Sequence, residues 1–114
     1  MKDISLEYKF RILIKGEKIF GQGPCRLLER VEELGSLKRA CESLNMSYSK
    51  GWKIINKAEK ALGYKLLQSQ VGGIEGGGSH LTQEAKKIIK SYRAFEVESR
   101  ESLENIFIKY FKNF

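Results

Sequence analysis

The middle of the chain carries two runs of apolar residues at helical spacing, separated by a short polar turn. In the first run, residues 37–44, apolar positions recur three and four apart behind Ser36, a competent N-cap. Asn45 tolerates the left-handed conformation that ends such a helix, and Ser47 can cap a second helix over residues 48–62. This order predicts a helix-turn-helix.

The second predicted helix has two different faces when its residues are placed 100° apart. The side expected to face the core carries Tyr48, Gly51, Trp52, Ile55, Ala58 and Leu62. The opposite side carries Ser49, Lys50, Lys53, Asn56, Lys57 and Lys60. Lysines neutralise phosphates and short polar side chains reach base edges, so the pattern favours a DNA recognition helix. The alternative is that this lysine-bearing face is only solvated. The order of the neighbouring elements favours a DNA recognition helix over that alternative.

The N-terminal residues alternate between apolar and polar over positions 4–14, which predicts a half-buried strand. Residues 15–18 can turn the chain, because Gly16 readily adopts a positive φ, and Ile19 and Phe20 can pair back as a short second strand. We therefore expect a β-hairpin at the start of the chain.

A further helix is predicted between this hairpin and the helix-turn-helix. Pro24 stands at its expected first position, where a missing N–H is tolerated, and Gly35 ends it. Its apolar stripe consists of Leu27, Leu28, Val31 and Leu34. Three helices then form one core, in which Trp52 and Ile55 are expected to be central.

A glycine-rich segment follows the helix-turn-helix. Residues 63–69 are a strand candidate, residues 72–78 hold five glycines, and His80 and Leu81 can form a returning strand. A phosphate-binding loop needs lysine directly after G-x-x-x-x-G, but Gly78 occupies that position. A flexible wing that lies along the DNA backbone is the better interpretation.

The last predicted helix is unusually long. Thr82 can cap it, and neither glycine nor proline interrupts residues 83–114. Its apolar stripe exceeds what one small domain can cover, which predicts a dimer interface. The expected contacts are Ile88, Tyr92, Phe95, Leu103, Ile106, Phe107 and Tyr110. In the alternative, the tail from about Glu101 packs on the N-terminal hairpin or frays.

The distribution of charge agrees with an anionic partner. The net charge is +7, and residues 1–65 hold 14 Lys and Arg against 8 Asp and Glu, whereas residues 66–114 hold 7 against 6. The basic excess therefore lies in the half that contains the helix-turn-helix. The sequence shows no signal peptide and no apolar run of about 20 residues, so we expect a cytoplasmic protein that does not enter a membrane.

The residues that could carry catalysis or bind a metal are few. Cys25 and Cys41 lie among apolar neighbours on predicted helices and are interpreted as core residues, with a redox pair as the alternative. His80 has no acid or nucleophile at a recognisable spacing. We therefore expect no catalysis, no metal and no cofactor.

Residues 35–56, the segment GGIEGGG at 72–78, and the pair Leu81-Thr82 resemble the N-terminal DNA-binding domain of ModE-type molybdate-dependent regulators. That domain is itself similar to the LysR-type winged helix. The resemblance covers nearly the whole chain. It implies a mainly α fold with small β elements, in which a winged helix-turn-helix over residues 1–82 is followed by a dimerisation helix over residues 83–114. It also implies a homodimer that is held by the first strand region and the long last helix and that binds a palindromic operator.

By this resemblance, Trp52 is a core aromatic residue, and the start of the recognition helix corresponds to Ser47, Tyr48, Ser49, Lys50 and Lys53. Two departures from the family matter. The wing has no Lys or Arg between Lys65 and Lys86 and contains Glu75, so phosphate contacts there would come from backbone N–H groups, Ser79 or other polar residues. The predicted DNA contacts are Ser36, Lys38, Ser47, Tyr48, Ser49, Lys50, Lys53, Asn56, Lys57, Ser69, Gln70, Gly73, Gly76, Gly77 and His80.

The second departure is that the chain stops where family members continue into molybdate-binding domains. We therefore expect the chain itself not to sense molybdate, and any signal to come through a separate effector-sensing protein, through protein concentration or through the cysteines. Two hypotheses result. The first is a dimeric, double-stranded-DNA-binding transcription regulator, favoured by the lysine face. The second is a protein-interaction module that engages a partner through the aromatic last helix, favoured by the uncharged wing.

Overall fold

A computed structural model describes residues 3–70 and 78–114, without the side chain of Gln70. The elements in chain order are β1 (Arg11–Ile14), β2 (Glu17–Gly21), α1 (Gln22–Leu34), α2 (Leu37–Ser43), α3 (Tyr48–Leu62), β3 (Leu67–Gln70), β4 (Gly78–Leu81) and α4 (Gln83–Phe111). The predicted mainly α fold with two small hairpins is confirmed. The glycine-rich residues 72–77 lie outside the described part of the chain.

The N-terminal hairpin is shorter than predicted. Lys15 and Gly16 both have positive φ at the turn, and β1 pairs with β2 from Ile14↔Glu17 to Arg11↔Gly21. Residues 4–10 were predicted to extend β1, but they are not in a strand. The reason is that β2 ends after five residues and α1 begins at once, so the described sheet offers these residues no partner strand.

Instead, the N-terminal segment lies along α4. The rings of Phe10 and Phe95 meet edge to face with 5.4 Å between centroids, and the Arg100 guanidinium lies 5.2 Å from the centre of the Tyr8 ring. Ile4 lines a cavity together with Phe107 near the end of α4. The contacts of Phe95 and Arg100 precede the tail, so the alternative in which the tail from about Glu101 packs on the N-terminal hairpin or frays stays a prediction.

Helix α1 begins two residues before Pro24, so the prediction that Pro24 is the first helical residue is wrong by that amount. Pro24 is still within the first turn, where backbone N–H groups have no helical partner. The helix ends as predicted at Gly35, which has φ 72° and donates its N–H to the Val31 carbonyl.

The helix-turn-helix has the predicted caps. The Ser36 hydroxyl accepts from the Arg39 N–H at 3.3 Å, and the Ser47 hydroxyl accepts from the Lys50 N–H at 3.2 Å. Asn45, at the turn, has φ 53°. Because these signals depend on neighbours in sequence, they could be identified before the fold was known.

The core is contributed by all three helices, both hairpins and the first part of α4. Its fully buried large side chains are Phe20, Leu27, Leu28, Val31, Cys25, Cys41 and Leu66. Ile55 belongs to the core as predicted, but the prediction that Trp52 is central is wrong, because Trp52 is 50% exposed. Tyr48, placed on the same side, is 54% exposed.

The physical reason is the close approach of α2 and α3. A Cβ placed on Gly51 would lie 2.3 Å from the Cys41 Sγ, so only glycine allows the helices to come this near. The buried arc of α3 therefore centres on Gly51, Ile55 and Ala58. At 100° per residue, Trp52 projects roughly 60° to one side of Ile55 and leaves the core.

The wing strands β3 and β4 pair antiparallel in the register Leu67↔Leu81 to Gln70↔Gly78. The Ser79 N–H donates to the Gly35 carbonyl at 2.9 Å, which attaches β4 to the junction of α1 and α2. The Thr82 hydroxyl donates to the Lys65 carbonyl at 2.7 Å and accepts from the Ala85 N–H at 3.1 Å. Thr82 thus caps α4, as predicted, and also holds the entry to the wing.

Helix α4 has 29 residues and is about 43 Å long. Its inner half is part of the core: Tyr92 is 4% exposed and donates its hydroxyl to the Phe10 carbonyl at 2.9 Å. Arg93 donates to both carboxylate oxygens of Glu29 on α1, at 2.5 and 3.0 Å. In the described residues, no helix has the length and apolar content needed to cross a membrane.

Candidate nucleic-acid interface

The exposed face of α3 is cationic and polar, as predicted. Asn56 on this face is half-buried. The exposed side chains are those of Ser49, Lys50, Lys53, Lys57 and Lys60. The N-terminal end of the helix carries three hydroxyl side chains, those of Ser47, Tyr48 and Ser49, and the lysines follow over the next three turns. This arrangement presents donors to phosphates along the helix and short polar groups at its tip.

The single carboxylate of α3 does not oppose these lysines. Glu59 is only 13% exposed in its side chain, and it accepts from the Leu66 N–H at 2.7 Å and the Leu67 N–H at 3.3 Å. The Lys65 ammonium lies 3.7 Å from its other oxygen. Glu59 is therefore occupied in holding the start of β3, and the field of the exposed face remains positive.

The structure brings α2, the start of α3 and the wing strands around one groove of about 640 Å³. Lys38 and Arg39 of α2, Tyr48 of α3, and Ser69 and Ser79 of the wing line this groove. Three separate parts of the predicted site therefore converge on one side of the molecule.

The other predicted DNA contacts divide into four groups. Lys38, Ser47, Ser69 and His80 are exposed, Ser36 is half-buried, and for Gln70 only the backbone position is described. Gly73, Gly76 and Gly77 lie outside the described residues.

Three residues of this surface were missing from the predicted contacts. Arg39 lines the groove beside Lys38. It follows Lys38 directly in the first turn after the Ser36 cap, and this position could have predicted it as a DNA contact. Lys65 flanks the second groove, between α3 and the wing. Trp52 also lines that groove, and it was assigned to the core because the helical wheel places it next to Ile55.

Of the predicted dimer contacts, two are used inside the chain. Tyr92 is buried, and Ile88 is half-buried against the core, so neither offers a free apolar face. Phe95 is 48% exposed, although its ring also contacts Phe10. Leu103 and Phe107 are half-buried, whereas Ile106 and Tyr110 are more than half exposed.

The two cysteines are free and buried. Burial raises the pKa of the Cys25 thiol to about 11, with a smaller contribution from the nearby Glu29 carboxylate. Burial also raises the pKa of the Cys41 thiol. Raised pKa values disfavour the reactive thiolate, which supports the interpretation of both as core residues. Across residues 3–70 and 78–114, no three His, Cys, Asp or Glu side chains are grouped to hold a metal.

The sequence model of the bacterial regulatory helix-turn-helix proteins of the lysR family matches residues 25–86. This stretch includes α2, α3 and the wing, together with nearly all of α1 and the first turn of α4. The chain belongs to this family.

Several individual proteins are similar to the chain. Molybdenum transport protein ModE of Azotobacter vinelandii is 35% identical over 81 residues, which are 71% of this chain and 30% of that protein. Transcriptional regulator ModE of Haemophilus influenzae is 31% identical over 71 residues, 62% of this chain and 28% of that protein. The chain thus spans about 30% of the length of the curated relatives it matches.

Solved structures confirm the winged-helix fold of this lysR-family chain. The DNA-binding domain of CbnR, in complex with DNA, superimposes with a TM-score of 0.56 at 19% identity and covers 73% of this chain and 90% of that one. ArgP of Mycobacterium tuberculosis gives a TM-score of 0.52 at 20% identity, over 75% of this chain and 30% of that one. At these identities the comparison supports the fold alone.

Proposed function

We propose that this chain is a DNA-binding transcription regulator that inserts α3 into the major groove of double-stranded DNA. The observation that carries the proposal is the exposed face of α3, where four lysines stand beside Ser49 and Asn56 and the only carboxylate of the helix is occupied by the wing backbone. Membership of the lysR family of regulatory helix-turn-helix proteins supports it. The proposal involves no catalytic step.

The second part of the proposal is a two-fold dimer through the outer half of α4. Ile106, Ile108, Tyr110 and Phe111 are 43–64% exposed within a stretch of six residues. Exposed apolar clusters of this kind mark interaction surfaces, and identical chains most often pair by two-fold symmetry. A dimer would place two copies of α3 on one face and read an inverted repeat.

The dependence of DNA affinity on salt tests the first part. Fluorescence anisotropy with a labelled duplex should show the affinity falling steeply between 50 and 200 mM salt, roughly in proportion to the number of phosphates contacted. Lys53→Ala and Lys57→Ala should each weaken binding to every sequence and reduce the slope by about one. Lys90→Ala removes the same charge from the exposed side of α4 and should change neither quantity. Affinity that is independent of salt would contradict the proposal.

The second candidate function is a protein-interaction module that uses the outer half of α4. The exposure of Tyr110 and Phe111 favours it, because aromatic side chains are enriched in binding surfaces. The two candidates differ in one measurement. A module of this kind would keep its partner when Lys53 and Lys57 are replaced, whereas a DNA-binding regulator would lose its operator.

A further inference from the structure

An exposed aromatic pair lies at the edge of α3 that faces the wing. Tyr48 and Trp52 are 54% and 50% exposed, and they are four residues apart, so they lie on neighbouring turns of the same helix edge. A tryptophan that is half exposed leaves a large apolar surface in water. Its place on the proposed recognition surface indicates that a ligand covers it.

The surroundings of the pair favour a polyanion as that ligand. Trp52 lines the groove of about 370 Å³ between α3 and the wing, where Lys65 stands on the far side. The only carboxylate that lines this groove within the described residues is Glu59, and backbone N–H groups of Leu66 and Leu67 already occupy it. A protein partner that presented acidic groups could use the lysines, but it would not require an apolar strip beside an amide.

Asn56 supplies that amide. It follows Trp52 by four residues, is half-buried and lines the same groove. In the major groove, asparagine pairs with the N6 and N7 atoms of adenine, and apolar side chains contact the C5-methyl group of thymine. An A·T base pair presents both features together. The edge formed by Tyr48, Trp52 and Asn56 therefore matches the major-groove face of A·T pairs.

We propose that Tyr48 and Trp52 are specificity-determining residues that contact thymine C5-methyl groups, while Asn56 reads adenine beside them. This inference rests on the proposed insertion of α3 into the major groove. It differs from the phosphate contacts of the lysines, because it concerns which sequence is preferred and not how tightly DNA is held in general.

The test uses a duplex that the full chain selects from a random pool, with each thymine replaced in turn by deoxyuridine. This replacement removes one methyl group and leaves base pairing intact. For the unaltered chain, replacement at one or two positions per half-site should weaken binding about fourfold, the effect of one buried methyl group. In Trp52→Ala, at least one of these replacements should have little further effect. Tyr48→Phe keeps the ring and should retain any methyl effect that belongs to Tyr48.

Two controls separate this contact from folding and from general affinity. Because half of Trp52 is exposed, Trp52→Ala should remain folded at the temperature of the binding measurement, as monitored by circular dichroism. Lys53→Ala should weaken binding equally to the thymine duplex and to the duplexes that carry deoxyuridine. Asn56→Ala should relax the preference for adenine at the neighbouring position.

The outcomes that contradict the proposal are distinguishable. If every thymine replacement has the same effect in the unaltered chain, in Trp52→Ala and in Tyr48→Ala, the aromatic pair does not read methyl groups, while the proposed function stands. If Trp52→Ala leaves DNA binding unchanged but abolishes association with another protein, the pair is a protein-docking site and the proposal is wrong. If the unaltered chain selects no duplex at all, the proposed function and this inference fail together.

Discussion

The packed three-helix core and the outer half of α4 follow the same sequence rules but end in different environments. In the core, apolar residues at helical spacing are buried, as Leu27 and Val31 show with no exposed surface. In the outer half of α4, residues at the same spacing remain open to solvent, and Ile106 is 53% exposed. A periodic stripe therefore predicts a helix with one apolar side, but it does not reveal whether that side is covered by the same chain.

The boundary between the two regions lies near the middle of α4. Up to Arg93 and Glu96 the helix is held to α1, through the paired hydrogen bonds of Arg93 to Glu29. Beyond this point, Arg100 lies over the Tyr8 ring of the N-terminal segment, and the rings of Phe107 and Phe111 stack on each other within the helix. Changes in the first region should alter folding, and changes in the second should alter association.

The largest effect on folding is expected at the contact between α2 and α3. In Gly51→Ala, the new methyl group would meet the Cys41 Sγ, and the helices would have to separate. We expect a loss of about 3 kcal/mol in the free energy of unfolding, measured by urea denaturation.

Two further variants isolate this contact. Cys41→Ala in the Gly51→Ala background should restore part of the loss, because it removes the opposing sulfur. Gly23→Ala, where nothing lies within 4 Å of the added Cβ, should leave stability unchanged or raise it by about 1 kcal/mol. Equal effects at Gly51 and Gly23 would show that the close packing of α2 and α3 is not a determinant of the core.

A smaller effect is expected at the attachment of the wing. Glu59→Ala removes the acceptor of the Leu66 and Leu67 N–H groups and should lower the free energy of unfolding by about 2 kcal/mol. Glu32→Ala, at an exposed position of α1, should stay within about 0.5 kcal/mol of the unaltered chain. Thermal unfolding followed by circular dichroism compares the two, and similar midpoints would contradict the assigned role of Glu59.

Substitutions in the outer half of α4 should change dimer formation. Phe107→Glu places a charge within its apolar cluster and should weaken dimer formation at least tenfold, roughly 1.4 kcal/mol, in sedimentation equilibrium. The unfolding of the core should hardly change. Asn105→Glu adds the same charge to an exposed polar position two residues away and should leave association intact. A monomer at micromolar concentration before any substitution would remove the basis of the dimer.

The smallest expected effect is a dependence of stability on alkaline pH. Burial raises the pKa of Cys25 from 9.0 to about 11, so from pH 9 to 11 the unfolded chain releases this proton while the folded chain retains it. Stability from this group is therefore complete below pH 9 and is lost as the pH rises towards 11. Cys25→Ala should show a shallower decline over this interval in urea denaturation. Parallel declines would indicate that Cys25 does not couple folding to pH.

The parts of the fold that were predictable from the sequence depend on short-range signals. Ser47, Thr82 and Gly35 act on backbone groups within a few residues, so their roles as caps follow from the residue type and its place before or after a periodic run. The positions of the two hairpins also followed from alternation and turn residues, although their ends shifted by several residues.

The parts that were not predictable depend on distances between elements. Trp52 was assigned to the core because a helical wheel does not show how closely α2 approaches at Gly51. Residues 4–10 have the alternation of a strand, but a strand also needs a partner. The anchoring of Glu59 joins positions seven and eight residues apart across a turn, and no local pattern marks it. The candidate site was therefore predicted for its lysines, for Tyr48 and for Asn56, whereas Trp52 was wrongly assigned to the core.

The hydroxyl of Thr82 has a mechanical consequence for the proposed dimer. The Thr82 hydroxyl both caps α4 and donates to the Lys65 carbonyl. The helix that would join two subunits, α4, is therefore attached directly to the base of the wing. Glu59 of α3 also accepts from backbone N–H groups at the start of β3, so α3, the wing and α4 should rotate together as one rigid body. One extra base pair between two half-sites rotates one of them by roughly 35° about the DNA axis. A rigid connection between the two recognition helices could not adjust to that rotation. The affinity for an operator should therefore depend on the spacing of its half-sites as strongly as on their sequence.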